Sequence, residues 1–209
     1  MTAPKAHLRV NVKEPPRIIA GFPGVGKTFA TKCLIQLFDM VVSDSDSSKF
    51  PKEGFPANYI DHIRQLHEEG SSDIIFVSSH DVVREALIDA GLPFTLVYPS
   101  KGLKKEYLRR YMDRKSPQGF IDLVETNWDT WLDECDACVH QDVTRIELSD
   151  DDMTMYVWIL VSKRILQLSP ETGVMGLCLP DTYITSDRVT DIKKSLAGPV
   201  LNGVVCVEL

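Results

Sequence analysis

The chain has 209 residues, of which 30 are acidic and 23 basic, so its formal charge at pH 7 is −7. Hydrophobic residues make up 44% and charged residues 25%, the balance of an ordinary globular protein, which excludes collagen-like and intrinsically disordered chains. No apolar run approaches the ~18 residues that span a bilayer, so we expect no membrane segment.

The remaining composition points to a reduced compartment and a small-molecule partner. The five cysteines are an odd number, and the first residues lack the apolar stretch of a signal peptide. We therefore expect free thiols and a cytoplasmic location. The acidic net charge argues against nucleic acid as a partner.

Taken in chain order, short apolar runs alternate with helical patterns. After a lead-in at 1–16, the predicted strands are 17–20, 41–42, 73–78, 94–98 and 144–148. The predicted helices are 27–38, 57–69, 81–90, 103–114, one that carries Ile121 to Leu132, and 153–168. This alternation predicts an α/β/α sandwich around a mainly parallel five-stranded sheet. We expect one domain over 17–168 and assign no role to an extension over 169–209.

The loop after the first predicted strand has the pattern G-x-x-x-x-G-K-[ST], and it reads Gly21-Phe22-Pro23-Gly24-Val25-Gly26-Lys27-Thr28. Its glycines allow successive backbone N–H groups to turn toward one anion, and the start of the next helix adds a positive dipole end. Lys27 is then placed to neutralise β- and γ-phosphate oxygens, and the Thr28 hydroxyl to bind Mg²⁺. The segment 21–28 therefore predicts a site for the phosphates of a nucleotide.

A polar cluster over 43–49 follows the second predicted strand and contains Asp44 and Asp46. In an open α/β sheet, ligands lie at the carboxyl ends of the strands, so both carboxylates are expected beside the phosphate loop. There a carboxylate can accept the proton of an attacking hydroxyl or hold Mg²⁺. A solvated turn is the alternative.

A third signal is basic: between 101 and 115 lie seven Lys or Arg residues and only two acidic ones, a local charge of +5. Arg110 and Arg114 are four residues apart and share one helix face. We predict a helical lid over about 101–120, in which both guanidinium groups close over the triphosphate. A solvated basic helix face is the alternative.

These motifs resemble those of the small P-loop kinases, the nucleoside monophosphate kinases and the related gluconate and shikimate kinases. The segment 21–28 is similar to their Walker A loop, Asp44-Ser45-Asp46 to the D-x-D of the gluconate and shikimate branches, and Arg110 to Arg114 to their R-x-x-x-R lid. The resemblance covers about 17–150 and implies a five-stranded parallel sheet, ATP as donor, Mg²⁺, and an alcohol or phosphate as acceptor. Two features depart from the pattern: the third strand ends in Ser78-Ser79-His80 rather than in a carboxylate, and 116–119 lack a Gly-His step, which argues against gluconate itself.

The acceptor is expected to bind the segment between the second and third strands. Tyr59 can stack on a base and Arg64 can bind a substrate phosphate. Both residues fit equally well a helix packed on the core. We therefore predict an ATP-dependent kinase whose small acceptor is a nucleotide or nucleoside. A homodimer is compatible with the sequence, which does not specify the oligomeric state. The alternatives are a sugar or hydroxy-acid kinase, a nucleotide-gated interaction module and a polynucleotide end kinase.

Two further features stay open. His80 follows the third predicted strand and either touches substrate or serves as a capping or core histidine. Cys135 and Cys138 form an isolated C-x-x-C that would need further ligands to hold a metal.

Overall fold

The computed structural model describes residues 17–38 and 40–148, together with two short strands at 166–168 and 175–177. The strands are β1 (Ile18–Gly21), β2 (Val42–Asp44), β3 (Ile74–Ser78), β4 (Phe94–Pro99), β5 (Val143–Leu148), β6 (Leu166–Leu168) and β7 (Met175–Leu177). The helices are α1 (Lys27–Phe38), α2 (Ala57–Glu69), α3 (Asp81–Asp89), α4 (Lys104–Asp113) and α5 (Gln118–Ala137).

Five of the strands form one sheet in the order β2-β3-β1-β4-β5, and every neighbouring pair is parallel. Gly21 at the end of β1 is level with Ser78 of β3 and Val97 of β4. Because all five strands run the same way, their carboxyl ends open on one edge of the sheet, where ligands of α/β proteins bind.

The helices lie on both faces of this sheet. α1 joins β1 to β2 in one direction across the sheet, whereas the later helices join strands in the opposite direction. Since such connections are right-handed, α1 covers one face and α2, α3 and α5 cover the other. The contact between Arg84 of α3 and Glu134 of α5, 3.9 Å apart, agrees with this arrangement.

The core follows from the apolar central strands. Every residue of β1 and β4 is buried, as expected for strands covered on both faces. Trp128 of α5 is fully buried as well, and its indole N–H donates to the carbonyl of Lys101 at 3.0 Å. Replacing a tryptophan so placed by alanine costs about 3–5 kcal/mol of stability.

The α/β class and the five-stranded parallel sheet predicted from the sequence are confirmed, and the helix ends agree closely. β2 begins and ends slightly later than predicted, so that Asp44 is its last residue rather than part of a loop. The predicted helix at 153–168 is wrong at its end, because 166–168 form a strand paired antiparallel with 175–177. The rest of that helix, the lead-in at 1–16 and most of the extension at 169–209 lie outside the described residues.

Across the described part of the chain, each helix is either too short or too polar to cross a bilayer.

Candidate active site

A cleft of about 960 Å³ opens at the carboxyl ends of β1, β2 and β3. It brings together four segments that are distant in sequence: the glycine-rich loop, the polar turn after β2, the end of β3, and the end of α4 with the turn that follows. The residues that line it are Pro23, Gly24, Gly26, Lys27, Thr28, Phe29, Asp44, Ser45, Asp46, Ser47, Ser48, Ser78, His80, Arg114, Ser116, Pro117 and Phe120. The parallel sheet therefore places the loop, both aspartates and one predicted lid arginine around one volume.

Two glycines give the loop its shape. Gly24 has φ 83° and Gly26 has φ 97°, a region that other residues rarely adopt. A Cβ on Gly24 would lie 2.8 Å from Cε1 of Tyr111, whereas a Cβ on Gly26 would meet no described atom within 4 Å. Gly24 thus allows α4 to approach the loop, and Gly26 borders open space in the cleft.

The other loop residues predicted to bind phosphate differ in whether they border the cleft. Pro23 lines the cleft, and its carbonyl accepts a hydrogen bond from the Tyr111 hydroxyl at 2.7 Å. The side chain of Val25 is buried, so only its backbone can reach a ligand. Gly21 lies beneath the loop at the end of β1 and does not line the cleft.

Lys27 carries the positive charge at the base of the cleft. Its ammonium group donates to the carbonyl of Gly21. The pKa of Lys27 is lowered from 10.5 to about 8, chiefly by burial and to a smaller extent by nearby Arg114, while Asp44 and Asp46 oppose this shift. An anionic ligand stabilises the charged form of an ammonium group that is desolvated in this way. The geometry of the loop allows such a ligand to bind beside Lys27.

The two aspartates are held by the turn after β2. The backbone N–H of Ser45 between them donates to Phe76 of β3 at 2.9 Å, which continues the strand pairing. One carboxylate oxygen of Asp46 accepts from the N–H of Ser48 at 2.9 Å. This hydrogen bond holds the pKa of Asp46 below its ordinary value, with a smaller contribution from Lys49. Asp46 is therefore a stable anion and a poor proton acceptor.

The donor set around the loop fits magnesium. The Thr28 hydroxyl and the carboxylates of Asp44 and Asp46 border the same cleft and are hard oxygen ligands. Mg²⁺ commonly takes one or two protein carboxylates and completes its shell with water and substrate phosphates. Within 17–38 and 40–148, no cluster of three or more His, Cys, Asp or Glu side chains is arranged to hold a metal by itself.

Of the two predicted lid arginines, the structure brings one to the cleft. Arg114 lines it, with its guanidinium carbon 4.7 Å from the ring centre of Tyr111, and it donates to Ser116 at 2.7 Å. Arg110 instead pairs with Glu106 at 2.9 Å and stacks on Tyr107, away from the cleft lining. A carboxylate one helical turn earlier pairs with Arg110, so only Arg114 of the two borders the cleft, and the closure of both guanidinium groups over a triphosphate stays a prediction.

The predicted acceptor residues lie elsewhere. Tyr59 is fully buried; its hydroxyl donates to the carbonyl of Ser45 at 2.7 Å and accepts from the N–H of Ser78 at 3.2 Å. Burial raises the pKa of Tyr59 to about 12. Arg64 pairs with Asp61 at 2.9 Å on α2 and does not line the cleft. The tyrosine ties the aspartate turn to the end of β3, and its stacking on a base stays a prediction.

Sequence reasoning missed the aromatic support under the loop. Tyr107 and Tyr111 of α4 are buried, and the Tyr107 ring lies 5.4 Å from that of Trp128. Their spacing of four residues, on a helix otherwise rich in charge, was the available signal for a buried stripe. This stripe packs α4 against the glycine-rich loop.

The C-x-x-C feature has no metal-site geometry in the described part of the chain. Cys135 and Cys138 are free thiols, and Cys135 is buried beside the guanidinium group of Arg84. Burial raises the pKa of Cys135 to about 11, which makes it an unreactive thiol at neutral pH.

No protein-family model and no curated protein sequence matches the chain. Among solved structures, it is similar to the crystal structure of an uncharacterized protein from Eubacterium ventriosum ATCC 27560, with a TM-score of 0.39 and 14% sequence identity. That likeness covers 73% of this chain and 99% of the other. At this level of similarity, it assigns no family.

Proposed function

We propose that this protein is a P-loop kinase that transfers the γ-phosphoryl group of Mg·ATP to a small acceptor, in the first instance a nucleotide or nucleoside. The observation that carries the proposal is the convergence on one cleft of Lys27 in its glycine-rich loop, the aspartates of the β2 turn and Arg114. A phosphate loop alone would fit any nucleotide-binding protein. The aspartates and the arginine add the groups that a transfer reaction needs on the acceptor side and around the transferred phosphoryl.

In this mechanism the loop binds the triphosphate through its backbone N–H groups and through Lys27. Burial lowers the pKa of Lys27, and a bound triphosphate would stabilise its charged form. Gly26 borders open space, which lets phosphate oxygens approach the backbone closely. These contacts hold and orient the donor.

Magnesium, when bound, neutralises charge on the β- and γ-phosphates. On this chain the Thr28 hydroxyl and the Asp46 carboxylate are the groups proposed to hold it. Asp46 suits this role because its hydrogen bond from Ser48 keeps it ionised.

Asp44 is the carboxylate proposed to contact the acceptor. It is the last residue of β2, and its exposed side chain borders the cleft next to Lys27. If the acceptor is a hydroxyl, Asp44 orients it and takes its proton during attack. If the acceptor is a phosphate, whose oxygen needs no base, Asp44 instead joins Asp46 in holding magnesium-bound water.

Arg114 supplies positive charge from the opposite wall of the cleft. Its guanidinium group is held by the rings of Tyr111 and Phe120, at 4.7 and 5.8 Å. A guanidinium group fixed in this way stabilises charge that spreads over the phosphoryl oxygens during transfer. The helical lid predicted over 101–120 is thus proposed to act through Arg114.

An acceptor screen tests the proposal. Release of ADP from ATP is measured with nucleoside monophosphates, nucleosides, sugars and hydroxy acids, for the native chain, Asp44→Asn and Asp61→Asn. Asp61 is an exposed aspartate on α2 and serves as the matched control. We expect acceptor-dependent ADP release that Asp44→Asn lowers by at least about 100-fold for a hydroxyl acceptor and that Asp61→Asn leaves unchanged.

Two outcomes would contradict the proposal. ATP binding without turnover on any acceptor would favour a nucleotide-gated interaction module. Turnover restricted to sugars or hydroxy acids would keep the kinase and overturn the nucleotide acceptor.

A further inference from the structure

A second cavity, of about 370 Å³, lies between α3 and α5 and adjoins the cleft. The two volumes share Pro23, His80 and Phe120, so a ligand in the second cavity would meet the cleft beside the phosphate loop. Its volume falls in the range of about 300–1,000 Å³ that is usual for small-molecule sites. The α2 segment, from which acceptor binding was expected, does not contribute to it.

Three phenyl or indole rings form part of the wall of this cavity. Phe22, at the start of the phosphate loop, and Trp131 of α5 both line it, with ring centres 6.4 Å apart and planes at 65°. Phe120 lines the shared opening. Flat apolar walls of this kind favour a planar ring, which stacks on or against them, over a sugar, whose hydroxyl groups would be left without partners.

A donor and an acceptor lie together at the polar side of the cavity. The Arg84 side chain is buried, and its Nη1 donates to the carbonyl of Ser79. Its Nη2 is 3.9 Å from Oε2 of Glu134, which is too long for a hydrogen bond. A buried guanidinium group and a half-exposed carboxylate at this spacing can take the acceptor and donor atoms that sit side by side on the edge of a nucleobase.

We propose that this cavity binds the nucleobase of a nucleoside monophosphate, the acceptor of the reaction. The inference rests on the proposed kinase function and moves the acceptor site from α2 to the space between α3 and α5. The base lies between the aromatic walls with its polar edge toward Arg84 and Glu134. Its phosphate then lies at the shared opening near His80, whose side chain makes no capping hydrogen bond to α3, and this opening leads into the cleft that Lys27 lines.

A blocking variant at the cavity rim tests this site. Leu123 of α5 lines the cavity and is 51% exposed, so Leu123→Trp can fill the opening without disturbing the core. Thr126→Trp places the same side chain at an exposed position of α5 that does not line the cavity. The full chain and both variants are titrated by calorimetry with AMP, GMP, CMP and UMP, and separately with ATP. Thermal unfolding of each variant verifies folding.

We expect at least one monophosphate to bind the native chain and Thr126→Trp equally, and Leu123→Trp to weaken that binding at least tenfold while ATP affinity stays within twofold. Equal binding of the monophosphate to both variants would overturn the inference. So would ATP binding by a chain to which none of the four monophosphates binds at millimolar concentration, a result that leaves the donor site intact. If the native chain binds a monophosphate but not ATP, and Leu123→Trp abolishes the monophosphate binding, the result would support the cavity as a nucleotide site and contradict the kinase function.

Glu134→Gln tests the selectivity of the cavity among nucleobases, which the blocking variant Leu123→Trp does not test. An amide offers both a donor and an acceptor where the carboxylate offers acceptors alone. The ratio of affinities among the four monophosphates should therefore change by at least fivefold. An unchanged ratio would overturn the placement of the base edge at this residue.

Discussion

Two segments of this molecule were assigned binding roles from the sequence, one from a complete loop motif and one from side-chain types alone, and they differ in the structure. The loop at 21–28 lines the cleft at the edge of the sheet, with Lys27 at its base. The segment at 50–70, which contains α2, was expected to bind the acceptor, yet its Tyr59 is fully buried and its Arg64 pairs with Asp61. The first segment reached its expected position and the second did not.

The difference lies in what each pattern specifies. The loop pattern specifies backbone conformation, because Gly24 and Gly26 adopt positive φ values that residues other than glycine rarely adopt. The α2 pattern consisted only of side-chain types, and an aromatic ring is stabilised by burial wherever the core will accept it. A motif that constrains the backbone therefore predicts a site better than a set of suitable side chains does.

The largest expected effect is a difference in kcat between alanine variants of two arginines, Arg114 beside the phosphate loop and Arg64 on α2. Arg114→Ala is expected to lower kcat by about 10²–10³ with little change in ATP affinity, because its guanidinium group is proposed to stabilise charge that develops during transfer. Arg64→Ala should leave kcat and both KM values within twofold. Steady-state kinetics check the pair. Equal losses of kcat and ATP affinity in Arg114→Ala would make it a binding contact, and a raised acceptor KM in Arg64→Ala would restore α2 as the acceptor site.

Two glycines offer a second pair. Gly24→Ala should destabilise the protein by about 3 kcal/mol, since the methyl group meets Tyr111 and the backbone is strained. That corresponds to a fall in Tm of roughly 6–12 °C. Gly54→Ala, in the segment before α2, carries only the strain of φ 80° and should cost about 1 kcal/mol. Thermal unfolding measures both, and equal shifts would show that α4 does not pack on the loop as described.

The charge state of Lys27 predicts a pH dependence. Its pKa is lowered to about 8, so the free protein loses this charge above pH 8. A bound triphosphate favours the ammonium form, so its pKa rises on binding and a proton is taken up. ATP affinity should therefore fall by up to about tenfold per pH unit above pH 8 and change little through Lys27 below pH 7. Calorimetry from pH 7 to 9.5 measures this, and Lys27→Arg, which stays charged, should flatten the profile. A flat profile in the native chain would contradict the desolvated ammonium.

The smallest effect concerns Tyr59. Tyr59→Phe removes a hydroxyl that bonds Ser45 and Ser78, and it should destabilise the protein by about 1 kcal/mol with no change in acceptor KM beyond twofold. Chemical denaturation and acceptor titration measure the two quantities. A raised KM with unchanged stability would mean that Tyr59 does contact the acceptor after all.

The sequence predicted the sheet well because its signals are local. The buried strands read as continuous apolar runs, and Gly70, with φ 62°, ends α2 as the sequence indicated. It could not predict which arginine reaches the cleft, because that depends on Glu106 pairing with Arg110. Nor could it predict the second cavity, whose walls come from the phosphate loop, α3 and α5 and meet only in the folded chain.

The central claim is that the loop around Lys27 binds the phosphates of ATP. The direct measurement is calorimetric titration of the full chain with Mg·ATP at pH 7.5, beside Lys27→Met and a control, Lys32→Met, at an exposed position of α1. We expect one ATP to bind the native chain and Lys32→Met with equal affinity, and Lys27→Met to bind at least about 100-fold more weakly. Absence of heat for the folded native chain at millimolar ATP, or equal affinity in all three proteins, would contradict the claim.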